Sequence, residues 1–296
     1  MKIPTHAAVF WWKPAAWLRV SGGDAATFLQ GQFTNDLGKP PLGGAVYGLW
    51  LNVKGKVVAD SFVLRGATAD EFWIASYFSP ASIVRARLEA FVIADDVVIE
   101  DAGDGWSAVT VFGEGAASLL PADAQGGLRF AGRRSIGEVI EWIFPASQGE
   151  AVRARFAGLT ELSGDEVARR RIEAGIPAVP ADLGPNDLPN EGGLEAEAIS
   201  YTKGCYLGQE VMARLKSMGR VRRRLERVAV MAGEMPRLPA PLFDGPRQVG
   251  ELRSAARTEG GPAIGLAMVS LLNVAPGAKL GLSPAAATEV TVLNSA

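Results

Sequence analysis

The segment VSGGDAATFL at residues 20–29 returns as VFGEGAASLL at residues 111–120, a separation of 91 residues. Each copy has the pattern of a strand end, a glycine turn and a helix that begins with small residues. A second echo pairs Trp73 with Trp142, and a Pro-Ala-Ser turn and an arginine-containing helix follow both. Two echoes in the same order predict two related α+β lobes, with copies starting near residues 18 and 109 and helices on one face of a mainly antiparallel sheet.

The first copy carries 22 more residues between its two echoes, and these include LNVKGK at residues 51–56. An apolar strand, a turn with glycine and two lysines, and a second strand indicate a β-hairpin. Asp60 lies within that second strand, directly after three apolar residues. It therefore either faces water on a polar face or is buried with a partner.

The C-terminal part has a different texture. From Leu225 onward, short valine-rich segments alternate with glycine and proline turns. This pattern is typical of a compact barrel or sandwich. We therefore expect an α+β chain with a two-lobed region at residues 1–220 and a C-terminal β-barrel at residues 221–296.

Composition limits the class of protein. With 296 residues, 48% hydrophobic and 21% charged, the chain is typical of a globular protein of about two domains. One cysteine and the absence of a signal-peptide pattern favour a cytoplasmic location. No segment approaches the roughly 18 consecutive apolar residues of a membrane span. The net charge of −2 predicts no global attraction to nucleic acid.

Missing residues exclude several chemistries. The only histidine is His6, so a Ser-His-Asp or Cys-His arrangement would need a residue at the N-terminus. One cysteine and one histidine do not supply the four ligands of a structural zinc site or of a typical iron–sulfur cluster. The sequence has no GxxxxGK[ST] loop and no dinucleotide fingerprint, which disfavours nucleotide-driven chemistry.

The only cysteine, Cys205, lies in the run KGCYLGQE at residues 203–210, after a passage rich in Pro, Asn and Gly. Gly204 and Gly208 would permit unusual dihedral angles or close backbone approach beside the thiol. Lys203, if it folds back toward the sulfur, would favour the thiolate. The alternative is a glycine turn around a buried thiol.

This run, followed by VMAR at residues 211–214 and by Gly219, resembles the signature of the YgfZ family, folate-binding proteins connected with iron–sulfur enzymes and tRNA modification. Further similarities are GGDAATFLQGQ at 22–32, the turn at 51–55, RIEAGIP at 171–177 and LPNE at 188–191. The family is similar in fold to the glycine cleavage T-protein, an aminomethyltransferase that uses tetrahydrofolate. The resemblance implies a three-domain T-protein-like fold, with two lobes and a small barrel around a central folate site and with Cys205 near its entrance.

The resemblance also implies site residues. The reactive group would comprise Cys205, Lys203 and Asp60, and the remaining motif positions are Gly204, Tyr206, Gly208, Gln209, Glu210 and Arg214. Tetrahydrofolate or a related folate would be held, without a covalent bond, by Asn52, Glu138, Glu173, Asn190 and Glu191. No resident metal is expected, although Cys205 would be available as a shared iron–sulfur ligand.

Two departures from the T-protein pattern bear on activity. The T-protein has a pair of aspartates after its hairpin turn, whereas residues 57–60 here retain Asp60 alone. Its glycine-tyrosine-threonine-glycine-glutamate loop corresponds to residues 132–138, where arginine replaces tyrosine. Both differences weaken the comparison with a folate-dependent transferase.

Three functions are compatible with these observations. The favoured one is a folate-binding accessory protein for iron–sulfur cluster assembly or repair, serving client enzymes that include tRNA-modifying ones. Cys205 would supply one cluster ligand or react transiently with a sulfur species or a partner thiol. The second is a folate-dependent aminomethyltransferase with Asp60 as acid or base.

The third function is direct tRNA binding through seven basic residues between positions 214 and 227. Other interpretations of these basic residues are a solvated face, ion pairs with Glu191, Glu195 and Glu197, or a contact with the acidic tail of folate.

Overall fold

The structure is a computed structural model that describes residues 7–38, 44–121, 126–231, 233–284 and 288–293. His6 lies outside these described residues. In the N-terminal half the elements are β1 (Ala8–Trp12), β2 (Ala16–Ser21), α1 (Ala25–Gln32), β3 (Ala45–Leu51), β4 (Val57–Arg65), β5 (Glu71–Ser76), α2 (Ala81–Glu89), β6 (Val98–Asp101), β7 (Trp106–Phe112), α3 (Ala116–Leu119), β8 (Leu128–Ala131) and β9 (Val139–Pro145).

The remaining elements are α4 (Gly149–Arg155), β10 (Thr160–Glu161), α5 (Gly164–Glu173), α6 (Gln209–Met218), β11 (Arg223–Val230), β12 (Ala240–Asp244), β13 (Arg247–Ala256), β14 (Ala263–Ser270), β15 (Lys279–Leu280) and β16 (Val290–Val292). Short 3-10 turns lie at 103–105, 146–148 and 189–192.

Two five-stranded sheets form the N-terminal region. The first has the order β3-β4-β5-β2-β6, and the second has the order β10-β1-β7-β9-β8. Helices α1 and α2 cover one face of the first sheet, where Leu29 and Val84 pack against Ile74. Strand β1 precedes the first repeat copy in sequence, yet it pairs with β7 in the second sheet. The N-terminal strand therefore ties the start of the chain to the second lobe.

The first sequence echo falls on matching elements, since both copies run from a strand into a helix, β2 into α1 and β7 into α3. The second echo is wrong by one residue. Trp142 lies opposite Val109, whereas the residue opposite the matching position, Leu18, is Ile74 and not Trp73. Because neighbouring strand residues face opposite sides of a sheet, Trp73 lies on the other face.

The face of the first sheet that carries Trp73 packs against the second sheet. Trp73 stacks on Trp17 with ring centroids 4.7 Å apart, and Trp106 of β7 lies 5.3 Å from both rings. Phe62 of β4 and Phe130 of β8 make a second aromatic contact at 4.7 Å. These rings bury large apolar areas and form much of the contact between the two lobes.

The C-terminal sheet has six strands in the order β12-β13-β14-β11-β16-β15. A bridge between Phe243 and Gly281 joins the two outer strands and nearly closes the sheet into a barrel. Val228, Leu252 and Val290 lie in its core. The predicted α+β class with a small C-terminal β-barrel is confirmed. Within the described ranges, no helix has both the length and the apolar character needed to cross a membrane.

Candidate functional site

The loop that carries Cys205 is attached to the C-terminal end of α1. Lys203 Nζ donates to the carbonyl oxygens of Gln30 and Phe33, each at 2.6 Å, and of Asn35 at 3.0 Å. Carbonyl groups at the end of a helix lack helical partners and carry partial negative charge, so a cation there is stabilising. Burial lowers the pKa of Lys203 to about 8.

This arrangement differs from a Lys203 that folds back toward the sulfur, because all three ammonium donors are used by backbone carbonyls. On the other side of the thiol, the Leu207 backbone N–H donates to the Gly31 carbonyl at 3.2 Å. Cys205 itself is exposed. The loop is therefore held at both ends while the thiol points outward, and the alternative of a buried thiol is wrong.

The structure requires glycine at only one of the two motif positions, Gly208 and Gly204. Gly208 has a φ of +86°, and a Cβ there would lie 3.0 Å from the Asn52 carbonyl oxygen. Gly204 has no positive φ, and a Cβ there would meet no atom within 4 Å. Backbone conformation and crowding therefore require glycine at 208, whereas the fold itself does not require it at 204.

The remaining motif residues connect this loop to the core. Tyr206 is buried among residues of the contact between the lobes, and Gln209 and Glu210 begin α6. Arg214 on α6 is exposed. Asn52 Oδ1 accepts the backbone N–H groups of residues 54 and 56, so this side chain shapes the hairpin turn on which Gly208 rests.

A cavity of about 450 Å³ lies beside the thiol, between α1 and the edge of the first sheet. Its lining residues are Ala26, Thr27, Gln30, Gly31, Leu37, Gly38, Arg65, Phe72 and Cys205. The guanidinium of Arg65 lies 5.9 Å from the centre of the Phe72 ring. Small side chains on α1 leave the surface around the thiol open to a large partner.

A separate cavity of about 220 Å³, the central cavity, lies between the second sheet, the end of β5 and α5. Its lining residues are Phe10, Trp12, Lys13, Tyr77, Phe78, Arg133, Arg134, Gly164, Val167, Ala168 and Arg171. The indole N–H of Trp12 is buried and has no acceptor among the described residues. The two cavities share no lining residue. Cys205 is thus absent from the residues lining the central cavity.

Asp60 lies in the core between the lobes and is fully bonded. Its Oδ1 accepts the hydroxyl groups of Ser76 at 3.0 Å and Ser79 at 2.8 Å, and its Oδ2 accepts the Tyr47 hydroxyl at 3.1 Å. Burial raises the pKa of Asp60 despite these hydrogen bonds. Of the two sequence alternatives, the buried acid with partners is the one observed.

Glu141 is a second buried acid, which the sequence interpretation missed. It accepts hydroxyl groups from Tyr77 and Thr110, each at 2.6 Å, and pairs with Arg134 at 3.2 Å. Tyr77 and Arg134 line the central cavity, so Glu141 fixes two of its walls. The signal was available, since Glu141 interrupts an apolar strand as Asp60 does.

The five predicted folate residues do not gather around the central cavity. Glu138 accepts backbone N–H groups at the start of α3, and Glu173 pairs with Arg169 on α5. Asn190 and Glu191 lie in the turn before α6, and Asn52 lies in the hairpin. None of the five lines the cavity.

The central cavity nevertheless fits part of a folate. Sites for drug-sized ligands run from about 300 to 1,000 Å³, so a cavity of 220 Å³ holds one end of such a molecule. Aromatic walls suit a flat ring, whereas the three arginines of the wall already pair with acids, Arg133 with Glu197, Arg134 with Glu141 and Arg171 with Asp182. The unpaired Trp12 N–H suits a ring acceptor.

Comparisons with known proteins agree with this architecture. Residues 1–126 match the family model of the GCVT N-terminal domain. The glycine cleavage system aminomethyltransferase T from Bartonella henselae superposes with a TM-score of 0.80 at 18% identity, covering 99% of this chain and 86% of that chain. At this identity the likeness concerns the fold, and it confirms the T-protein-like arrangement.

Two relatives are more similar in sequence. The mitochondrial iron–sulfur cluster assembly factor IBA57 from Homo sapiens is 31% identical over 229 residues, or 70% of this chain and 62% of the human protein. The chain thus spans less than two thirds of that relative. The tRNA-modifying protein YgfZ from Edwardsiella ictaluri is 30% identical over 273 residues, or 84% of this chain and 80% of the relative. With that coverage and the KGCYLGQE run at residues 203–210, the chain belongs to the YgfZ family.

Proposed function

We propose that this protein is a folate-binding accessory factor for iron–sulfur cluster assembly or repair, with Cys205 as its reactive thiol. The observation that carries the proposal is the exposed thiol on a loop held at both ends. A lone thiol acts on a group that arrives from outside, such as a cluster, a sulfur species or a partner thiol. The names of the relatives support iron–sulfur assembly as the process.

Folate is the proposed ligand of the central cavity. Trp12 and Tyr77 would contact the ring, whereas Arg133 and Arg134 already pair with Glu197 and Glu141. Folate supplies one-carbon chemistry when bound, whereas the residues here provide stacking, charge and exclusion of water. The partners would be client enzymes or assembly proteins that carry clusters, and the cytoplasm is the proposed location.

A folate-dependent aminomethyltransferase is the weaker candidate. An acid or base must reach the reacting atoms. Both oxygens of Asp60 are occupied by hydroxyl donors from Tyr47, Ser76 and Ser79, and Asp60 is absent from the cavity wall. The geometry therefore favours a structural part for this acid.

Two variants separate the thiol from the cavity. Cys205→Ser should bind tetrahydrofolate as the wild type does, yet restore less than about a tenth of cluster-dependent enzyme activity in cells lacking this protein. Trp12→Ala removes an aromatic wall and should weaken tetrahydrofolate binding at least tenfold by calorimetry. Ala213→Ser, an exposed change on α6, is the control for both assays.

Each part of the proposal can be contradicted by a separate result. If Cys205→Ser restores activity fully, the thiol has no role in the process. If the wild type binds no tetrahydrofolate, the assignment of the central cavity is wrong while the thiol proposal stands.

A further inference from the structure

The five arginines between positions 220 and 227 divide into two groups. Arg223 turns inward and pairs with Glu191 at 3.1 Å, and Arg227 donates to the Glu173 carbonyl at 2.9 Å. These two arginines fasten β11 to the preceding loop and to the end of α5. Both arginines therefore stabilise the fold. The ion pair expected for Glu191 is observed, and its partner is Arg223.

Arg220, Arg222 and Arg224 behave differently. Exposure alternates along residues 220–225, and these three arginines are the exposed ones. None of the three has a carboxylate partner within the described part of the chain. The whole protein carries a net charge of −2, so this row is a local concentration of positive charge. Neighbouring like charges repel each other, and a bound anion would relieve that repulsion.

The three arginines line a groove of about 630 Å³ whose wall includes Asn190 and Glu195. Asn190 Oδ1 and Glu195 Oε2 are buried and have no donor among the described residues. A buried acceptor without a donor is unfavourable. The groove therefore has positive charge at its rim and unpaired acceptors inside. A ligand with both anionic groups and N–H donors would match it.

Apolar side chains adjoin these polar groups. Leu271 and Leu272 line the same groove, and these residues are 41% and 81% exposed. Exposed leucines beside a charged groove provide a surface for a flat or apolar group. An acidic peptide would match the arginines, but its carboxylates would bring more acceptors to Glu195. A nucleotide brings a phosphate for the rim and base N–H groups for the interior.

We propose that this groove binds single-stranded nucleic acid, with phosphates on Arg220, Arg222 and Arg224 and a base edge on Asn190 and Glu195. Single strands present the base edges that a duplex hides, and repeated phosphates match a row of arginines. The proposal stands independently of the thiol and the central cavity, because the groove shares no lining residue with either cavity.

The test uses the full chain and a fluorescein-labelled single-stranded RNA of about 12 nucleotides, followed by anisotropy. Three phosphate contacts predict a slope of about −2 for log K against log salt. Affinity should then fall roughly 20-fold between about 50 and 200 mM salt. No binding to oligo(A) or oligo(U) RNA, or binding without salt dependence, would overturn the proposal.

The triple change Arg220→Gln, Arg222→Gln and Arg224→Gln should reduce the slope to near zero and weaken binding at least tenfold at low salt. Arg247→Gln removes an exposed arginine at the start of β13 and should change neither quantity. Thermal unfolding establishes that the triple variant is folded. An unchanged slope in a folded triple variant contradicts the proposal.

Two further measurements address the interior and the competing class of ligand. Oligo(A) offers more amino donors than oligo(U), so wild type should prefer it, and Glu195→Gln should narrow that preference. If a polyglutamate peptide of the same length binds more tightly than either RNA, and the triple variant loses it, the groove is a site for an acidic protein and the nucleic-acid proposal is wrong.

Discussion

The cavity beside Cys205 and the central cavity arrange their polar groups in opposite ways. At the first, the thiol is exposed, and the nearby cation Lys203 is turned inward and holds the loop. At the second, the acids Asp60 and Glu141 are buried behind the aromatic walls and bonded within the protein. An exposed group on a braced loop can meet a macromolecule, whereas an enclosed aromatic space admits a small flat group. The loop of Cys205 is thus suited to contact with a partner protein, and the central cavity is suited to a small ligand.

Removing the charge of Lys203 should have the largest effect on stability. Lys203→Met leaves three carbonyl oxygens without their shared donor, and we expect the free energy of unfolding in urea to fall by about 2–4 kcal/mol. Lys54→Met, at an exposed position of the hairpin turn, is the control and should change it by less than about 0.5 kcal/mol. Equal stability of the two variants would show that the Cys205 loop needs no anchor on α1.

The pH dependence of that loss sharpens the comparison. The folded pKa of Lys203 is about 8, below the ordinary value of 10.5. The unfolded chain therefore binds more protons between these values, and the stability of the wild type relative to Lys203→Met should rise as pH increases through this window. A difference that stays constant from pH 8 to 10.5 would mean that burial does not penalise the ammonium.

Truncating the buried acid of the other region should have a smaller effect. Asp60→Ala leaves the hydroxyl groups of Tyr47 and Ser76 without an acceptor, while Ser79 keeps the Val179 carbonyl, which predicts a loss of about 2 kcal/mol. Because the folded pKa is raised above 3.8, the stabilisation by Asp60 should be greatest at low pH and decline as pH rises past that value. Asp70→Ala, at an exposed site, should show neither effect.

The urea midpoints of the wild type and the two aspartate variants, measured as a function of pH, test this expectation. A loss for Asp60→Ala that grows with pH would reverse the expected sign and show that the carboxylate, rather than the acid, is the favoured form in the folded protein.

Substitution of the two motif glycines should have the smallest effect on stability, and the two variants form a closely matched pair. Gly208→Ala places a side chain at φ +86° against the Asn52 carbonyl, and should lower the free energy of unfolding by about 1–2 kcal/mol. Gly204→Ala meets open space and should lower it by less than about 0.5 kcal/mol. If a partner approaches the thiol closely, Gly204→Ala should still reduce activation of cluster enzymes in cells. Equal unfolding free energies for the two variants would contradict the distinction.

Local patterns predicted much of the fold. The glycine turn and small-residue helix start repeat at residues 20–29 and 111–120, and both copies fall on a strand followed by a helix. The tryptophan echo failed because the structural counterpart of Trp142 is Ile74, one residue after Trp73. A shift of one residue along a strand moves a side chain to the opposite face of the sheet. Trp73 joins the contact between the sheets, while Trp142 lies under the helices of the second lobe.

The site was less predictable from the chain. Cys205 stood out as the only thiol, and Asp60 stood out as an acid within an apolar strand. The partner of Lys203 was not visible, since the carbonyl oxygens it binds lie about 170 positions away in sequence. The residues predicted to bind folate also lie far apart. Each of the acids among them bonds a nearby N–H or guanidinium group that the sequence alone does not identify.

The sequence by itself determined the α+β class, the small C-terminal barrel and the presence of a single thiol, because strand periodicity, turn residues and residue type are local properties. Tertiary structure alone decided that Lys203 braces the loop instead of activating the thiol, that Glu141 stands behind the central cavity, and that three arginines face outward while Arg223 and Arg227 turn inward. These outcomes depend on which distant groups compete for each charge, and that competition is settled only when the chain has packed.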